Sequence, residues 1–164
     1  ELDLAALAGD AVDDARAVAP DREIALDTGG NGDVVLDGDP AQLRQVLANL
    51  MRNALVHTPA GTPIEVTVAR AGETARMRVR DHGPGLPAGG DPRAPFERFW
   101  RAEGGRARGR GGAGLGLAIV AGVVERHGGR VEAADAPGGG ALFTVELPLA
   151  PVSSAPQSGY QQVT

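Results

Sequence analysis

The chain has 164 residues, 42% hydrophobic and 23% charged, with a formal net charge of −5. That length suits one domain with a buried core, and the acidic balance argues against a protein that holds nucleic acid by electrostatics. Cysteine is absent, which excludes disulfides and thiolate zinc sites; lysine is absent too, which excludes a Walker A loop and the protein-kinase phosphate lysine.

Leu4, Leu7, Ala8, Ala11, Val12, Ala15 and Val18 recur at helical spacing. This predicts an amphipathic helix over 4–18, capped by Asp3 and ended by Pro20. Two short strands are expected at 23–26 and 34–36, around the Gly29-Gly30-Asn31-Gly32 turn. Asp39 as N-cap, Pro40 at the first helical position and Gln42 completing a capping box start a second helix. It should run to about His57, before Pro59, with Leu43, Val46, Leu47, Leu50 and Ala54 as its apolar stripe.

Residues 64–68 and 75–80 read as a strand pair. From His82 to Gly112 the chain is rich in Gly, Pro and Arg, with one aromatic island at Phe96–Trp100. A loop of that length in a compact domain is functional or disordered. A helix is expected over 114–127, closed by Gly128-Gly129, and then two strands at 130–134 and 141–147. The uncharged, largely apolar run Gly111–Val124 is 14 residues and too short to span a bilayer. No signal peptide is evident at the N-terminal end. Residues 151–164 are polar without an apolar stripe and read as a disordered tail behind a domain of residues 1–150.

Several clusters suggest chemistry. Asn49 and Asn53 share one face of the second helix, in a polar row with Gln45 and His57; alone, they fit a solvated face better than a site. Asp81-His82-Gly83-Pro84-Gly85 follows a strand, where glycines let the backbone approach a ligand and an Asp can accept from an exocyclic amine; alone, it fits an ordinary turn better. Gly112-Ala113-Gly114-Leu115-Gly116-Leu117 opens a helix whose free N–H groups suit phosphate, or marks a flexible hinge. The overlapping G-x-G-x-x-G at Gly109–Gly114 follows an Arg-rich loop and not a strand, so it is not read as a dinucleotide fingerprint. Arg98, Arg101, Arg106, Arg108 and Arg110 crowd the same loop, either solvated or folded onto a triphosphate.

Order and spacing together carry more than any one cluster. QLRQVLANLMRNALVHTP (42–59) resembles the N box of sensor histidine kinases, DHGPG (81–85) their G1 box, PFERFWR (95–101) their F box, GGAGLGLAIV (111–120) their G2 box and GGGALFTVELP (138–148) their G3 strand. The resemblance covers residues 1–150. It implies an α/β (α+β) two-layer sandwich, the Bergerat fold of GHKL proteins: a mixed, mainly antiparallel sheet covered on one face by helices, with a flexible ATP lid at about 88–112.

The resemblance also implies the site. Asn53 would bind Mg²⁺ through its amide oxygen, and Asn49 and His57 would lie near the phosphates and ribose. Asp81 would read the adenine amine, with Gly83, Gly85 and Leu86 shaping the turn around the base. Phe96 and Phe99 would anchor the lid, Arg101 would contact phosphate, Gly112, Gly114 and Gly116 would cradle the phosphates, and Leu117 would line the adenine pocket. Leu115 and Phe143 complete the expected ATP-binding set. The catalytic set is Asn49, Asn53 and Arg101.

The implied reaction transfers the γ-phosphoryl group of ATP to a histidine on a separate dimerisation and phosphoacceptor domain. A response regulator receiver domain is the next partner. The implied setting is cytoplasmic, on a parent anchored in the membrane, with no membrane or nucleic-acid contact by this domain. Related ATPases and anti-sigma serine kinases carry Glu where this chain has Asn49, and Glu can act as a general base where Asn cannot. Two departures stand out. Val56 occupies a position where many members have Lys, and Ala141 one where many have Thr. The three histidines, His57, His82 and His127, lie outside any phosphoacceptor motif, so the chain alone is expected to bind Mg-ATP without labelling itself. A nucleotide-binding module without transfer activity is the main alternative.

Overall fold

Asp3 caps the first helix: its Oδ1 accepts the Ala5 and Ala6 amides at 2.9 and 3.3 Å, two donors that the first turn of a helix leaves without partners. The computed structural model describes residues 1–30, 33–86, 91–97 and 115–151. Among these, the elements are β1 (Leu2–Asp3), α1 (Leu4–Val18), β2 (Ile24–Asp27), β3 (Val35–Leu36), α2 (Pro40–His57), β4 (Ile64–Ala71), β5 (Thr74–Asp81), a 3₁₀ turn (Ala94–Phe96), α3 (Leu115–Arg126), β6 (Arg130–Asp135) and β7 (Ala141–Pro148).

Five strands form one sheet in the order β2-β4-β5-β7-β6, parallel between β2 and β4 and antiparallel elsewhere. The helices form a single layer in the order α1-α2-α3, with α1 against β2 and β4, α2 against β5, and α3 against β6 and β7. Strand alternation explains why one layer suffices. Ile64, Val66 and Val68 of β4, Ala75, Met77 and Val79 of β5, and Phe143, Val145 and Leu147 of β7 are all buried. Their neighbours on the opposite face are mostly polar, and there Glu146 pairs with Arg76 at 2.9 Å and with Arg130 at 3.3 Å. The expected mixed, mainly antiparallel two-layer architecture is therefore present.

Both long helices end where the sequence places them, because each boundary carries a side chain or a proline that acts locally. The strands are less faithful to expectation. The β4–β5 hairpin extends further, to Ala71 and from Thr74. The strands expected from 23 and 34 begin at Ile24 and Val35. Neither β1 nor the 3₁₀ turn was expected. β1 has two residues, too few to show a period, and exists because it pairs with β3 (Leu2↔Leu36, Asp3↔Val35).

The second helix corrects one expectation. Asp39 Oδ1 accepts from Ala41 and Gln42 at 2.9 and 3.4 Å, but the reciprocal arm of the capping box does not come from Gln42. The Asp39 amide donates to His127 Nε2 at 3.1 Å, while His127 Nδ1 donates to the Val123 carbonyl at 2.8 Å. The end of α3 stands beside the start of α2, and an imidazole takes the place reserved for the glutamine. One ring in one tautomer clips the two helices together. His127→Ala is expected to lower stability by about 1–2 kcal/mol, read by urea unfolding, since it strands a backbone donor between two helices. No change in the unfolding midpoint would mean that water replaces the ring without cost. Gly128, at φ +76°, closes α3 as predicted, with Gly129 N–H returning to the Val124 carbonyl at 3.0 Å.

Beyond β7 the chain crosses between sheets. Leu149 N–H donates to the Glu73 carbonyl at 3.1 Å and Ala150 N–H to the Val35 carbonyl at 2.9 Å. Glu1, Val35, Arg70 and Pro151 line a shallow cleft of about 220 Å³ there. No helix among the described residues is long and apolar enough to cross a membrane.

Candidate functional site

The alternation of β5 that buries Ala75, Met77 and Val79 also turns Asp81, its last residue, toward the helix layer, where it is 4% exposed. A buried carboxylate needs donors. Asp81 Oδ1 accepts Gly83 N–H at 3.1 Å and Ala141 N–H, from the start of β7, at 2.9 Å. No described residue donates to Oδ2. One oxygen is thus committed to the fold, and the other is available to a ligand that donates.

Glycine is required around this carboxylate. At Gly140, φ is +86° and a Cβ would overlap the Asp81 carbonyl oxygen and approach its carbon to 2.7 Å. At Gly83, a Cβ would come within 2.8 Å of Thr58 Cγ2 and 3.3 Å of the His57 carbonyl oxygen. The turn after β5 therefore rests on the end of α2. That end is itself fixed: Thr58 Oγ1 donates to the Ala54 carbonyl at 2.7 Å and receives a short hydrogen bond from Arg22, whose Nε reaches the Thr62 carbonyl at 3.0 Å.

Along α2, the buried row Leu43, Val46, Leu47, Leu50 and Ala54 faces the core, which leaves Asn49 and Asn53 half-buried on the flank and His57 exposed. Asn49 Nδ2 donates to the Gly116 carbonyl in the first turn of α3 at 3.2 Å. The N-box helix and the start of the G2 helix thus meet at one of the expected site residues. Leu86 and Leu117 are half-buried and pack against the core. A Cβ on Gly116 meets nothing within 4 Å.

Phe96 and Phe143 lie deeper than a ligand surface. They are 6% and 3% exposed and meet edge to face, with ring centroids 6.1 Å apart. Phe96 plants the 3₁₀ turn in the core. Pro92 fastens the same segment to the outer edge of β6 through the Ala133 amide at 2.9 Å, and Arg93 pairs with Glu125 of α3 at 2.7 Å. The chain leading into the Arg-rich loop is held at three points. Phe99, Arg101, Gly112 and Gly114, the other loop arginines, most of the lid and the tail from 152 onward lie outside the described residues, as does the Leu115 side chain.

Two structural partners of the turn had no motif to announce them. Arg80 Nη2 reaches the Pro137 and Gly139 carbonyls at 2.7 and 3.4 Å, holding the β6–β7 turn behind Asp81. Asp135 Oδ1, at the end of β6, accepts Leu86 N–H at 2.7 Å.

Residues 38–151 match the family model described as histidine kinase-, DNA gyrase B-, and HSP90-like ATPase. Over 159 residues the chain is 42% identical to the probable sensor histidine kinase TcrY of Mycobacterium tuberculosis, covering 95% of this chain and 33% of that protein. The chain thus spans about a third of that relative's length. Among solved structures it resembles the mycobacterial sensor histidine kinase MprB (TM-score 0.77, 28% identity, 92% of this chain and 97% of that one). It also resembles full-length ShkA in complex with AMPPNP (TM-score 0.73, 31% identity, 91% of this chain and 30% of that one).

Proposed function

Because this chain belongs to the family of histidine kinase-, DNA gyrase B- and HSP90-like ATPases, we propose that it is the ATP-binding catalytic domain of a two-component sensor histidine kinase. In this reading it passes the γ-phosphoryl group of ATP to a histidine on a dimerisation and phosphoacceptor domain, which in turn serves a response regulator. The observation that carries the reading is Asp81: a buried carboxylate with one oxygen held by Gly83 and Ala141 and the other open beside the N-box helix. That arrangement accepts from the exocyclic amine of adenine.

The other roles follow from position. Asn53 lies one helical turn beyond Asn49 on the flank of α2, so both amides face the ground between the β5 turn and the start of α3. An amide oxygen is the hard ligand that Mg²⁺ takes, and one such ligand suffices where phosphates and water complete the shell, so Asn53 fits the metal. Mg²⁺, when bound, would neutralise phosphate charge. Asn49 spends one N–H on the Gly116 carbonyl, which leaves its Oδ1 and second N–H for a nucleotide. By resemblance alone, Arg101 and the glycines 112 and 114 would serve the phosphate end.

No general base is needed, because a neutral imidazole is already nucleophilic near pH 7. The chain's task is to orient the nucleotide and offset charge. Asn49 in place of Glu disfavours the hydrolase reading of the family, since an amide does not deprotonate water. Val56, in place of the frequent Lys, favours a second reading: a nucleotide-binding module without transfer.

Titration with a non-hydrolysable ATP analogue, with and without Mg²⁺, tests the assignment. Wild-type binding is expected to strengthen with Mg²⁺, and Asn53→Ala to lose at least about tenfold, roughly 1.4 kcal/mol. With radiolabelled ATP the isolated chain should form no acid-labile phosphohistidine, and added dimeric acceptor helices should restore labelling. Binding without restored transfer would favour the second reading. No binding at all would overturn both.

A further inference from the structure

We infer that Asp135 is a positioning residue of the base pocket, fixing the Gly85–Leu86 peptide beside Asp81. The inference rests on the nucleotide reading above, and on contacts that no sequence motif marks.

Asp135 ends β6 and stands opposite Ala141, the first residue of β7. Ala141 donates its amide to Asp81 Oδ1 at 2.9 Å, and Asp135 Oδ1 accepts the Leu86 amide at 2.7 Å. One rung of the β6–β7 ladder therefore holds both the residue proposed to read the base and the turn that follows it. A carboxylate accepting from an amide is a charge-assisted bond, stronger than a neutral one. It crosses 49 residues of sequence to fix the far side of a turn whose near side rests on the end of α2.

Gly85 shows that the fit is close. Its φ is +80°, and a Cβ there would lie 2.7 Å from Asp135 Oδ1. The glycine thus makes room for the carboxylate as well as turning the backbone. Leu86, the residue so pinned, packs against the core and belongs to the expected pocket. Among the described residues the Asp135 side chain hydrogen-bonds Leu86 and not the α2 asparagines, so its influence should fall on nucleotide affinity.

The test compares Asp135→Ala with Asp135→Asn, which keeps an acceptor oxygen, and with Asp81→Asn as a reference. Asp135→Ala is expected to weaken binding of the ATP analogue about five- to tenfold and to move the Leu86 amide proton resonance upfield. In the reconstituted transfer assay it should raise the KM for ATP more than it lowers kcat. Asp135→Asn should recover most of the loss and restore the Leu86 resonance. The inference is overturned if Asp135→Ala binds like wild type while Asp81→Asn does not. It is equally overturned if Asn rescues nothing, or if the loss of affinity only follows a fall in thermal stability. A wild-type chain that binds no analogue would remove the nucleotide reading, and with it any part for Asp135 in a base pocket.

Discussion

Gly140→Ala is expected to cost roughly 2–6 kcal/mol of folding stability and to abolish nucleotide binding. Two effects add. At φ +86° an L side chain is strained, worth about 1–3 kcal/mol. The new methyl would also sit on the Asp81 carbonyl and within 2.9 Å of His82 Cα, and forcing such contacts apart costs about 1–3 kcal/mol more. Neither neighbour is a flexible side chain that can swing away; both are backbone at the end of β5. The relief open to the chain is to part the β6–β7 turn from β5, which pulls Ala141 N–H off Asp81. Urea unfolding and analogue titration on the same sample test this. A variant within about 1 kcal/mol of wild type that still binds would mean that the turn moves freely and does not hold the carboxylate.

Asp81→Asn should leave the fold nearly intact and weaken binding of the ATP analogue about 100-fold, some 2.7 kcal/mol. Asparagine keeps the Oδ1 acceptor for Gly83 and Ala141 but presents an NH₂ where the second oxygen was, so donor meets donor at the adenine amine. The loss should be specific to the base: an inosine analogue, with a carbonyl in place of the amine, should bind Asp81→Asn better than wild type does. Asp81→Ala is different in kind. It leaves two backbone amides without their acceptor, and both stability and binding should fall. Equal affinity of wild type and Asp81→Asn for the adenine analogue would remove Asp81 from the base pocket.

The parts of this molecule legible in its sequence are those decided locally. α1 and α2 have their predicted bounds because Asp3, Asp39 and Pro40 start them and prolines follow their ends. The buried position of Asp81 is implicit in the alternation of β5. The residues that steady the site are another matter. Arg22 to Thr58, His127 to Asp39 and Asp135 to Leu86 join positions 36, 88 and 49 apart, and each is an ordinary polar residue at an ordinary helix or strand end until the fold brings its partner near. Gln42 shows the same limit from the other side. A local pattern nominated it, and a distant ring on α3 took the place. Phe143 sits in the expected ATP set by motif, yet its side chain is buried beneath Phe96.

Glu1 and Pro151 border the same shallow cleft, close to the turn that joins β4 to β5, while Asp81 and Ile64 pair at the other end of that hairpin. Eight residues of strand, roughly 25 Å, separate the two ends. Residues 1 and 151 therefore lie together at the end of the hairpin opposite Asp81. The chain is also suited to circular permutation: a short linker from 151 to 1, with new termini in another exposed loop, would leave every contact around Asp81 in place.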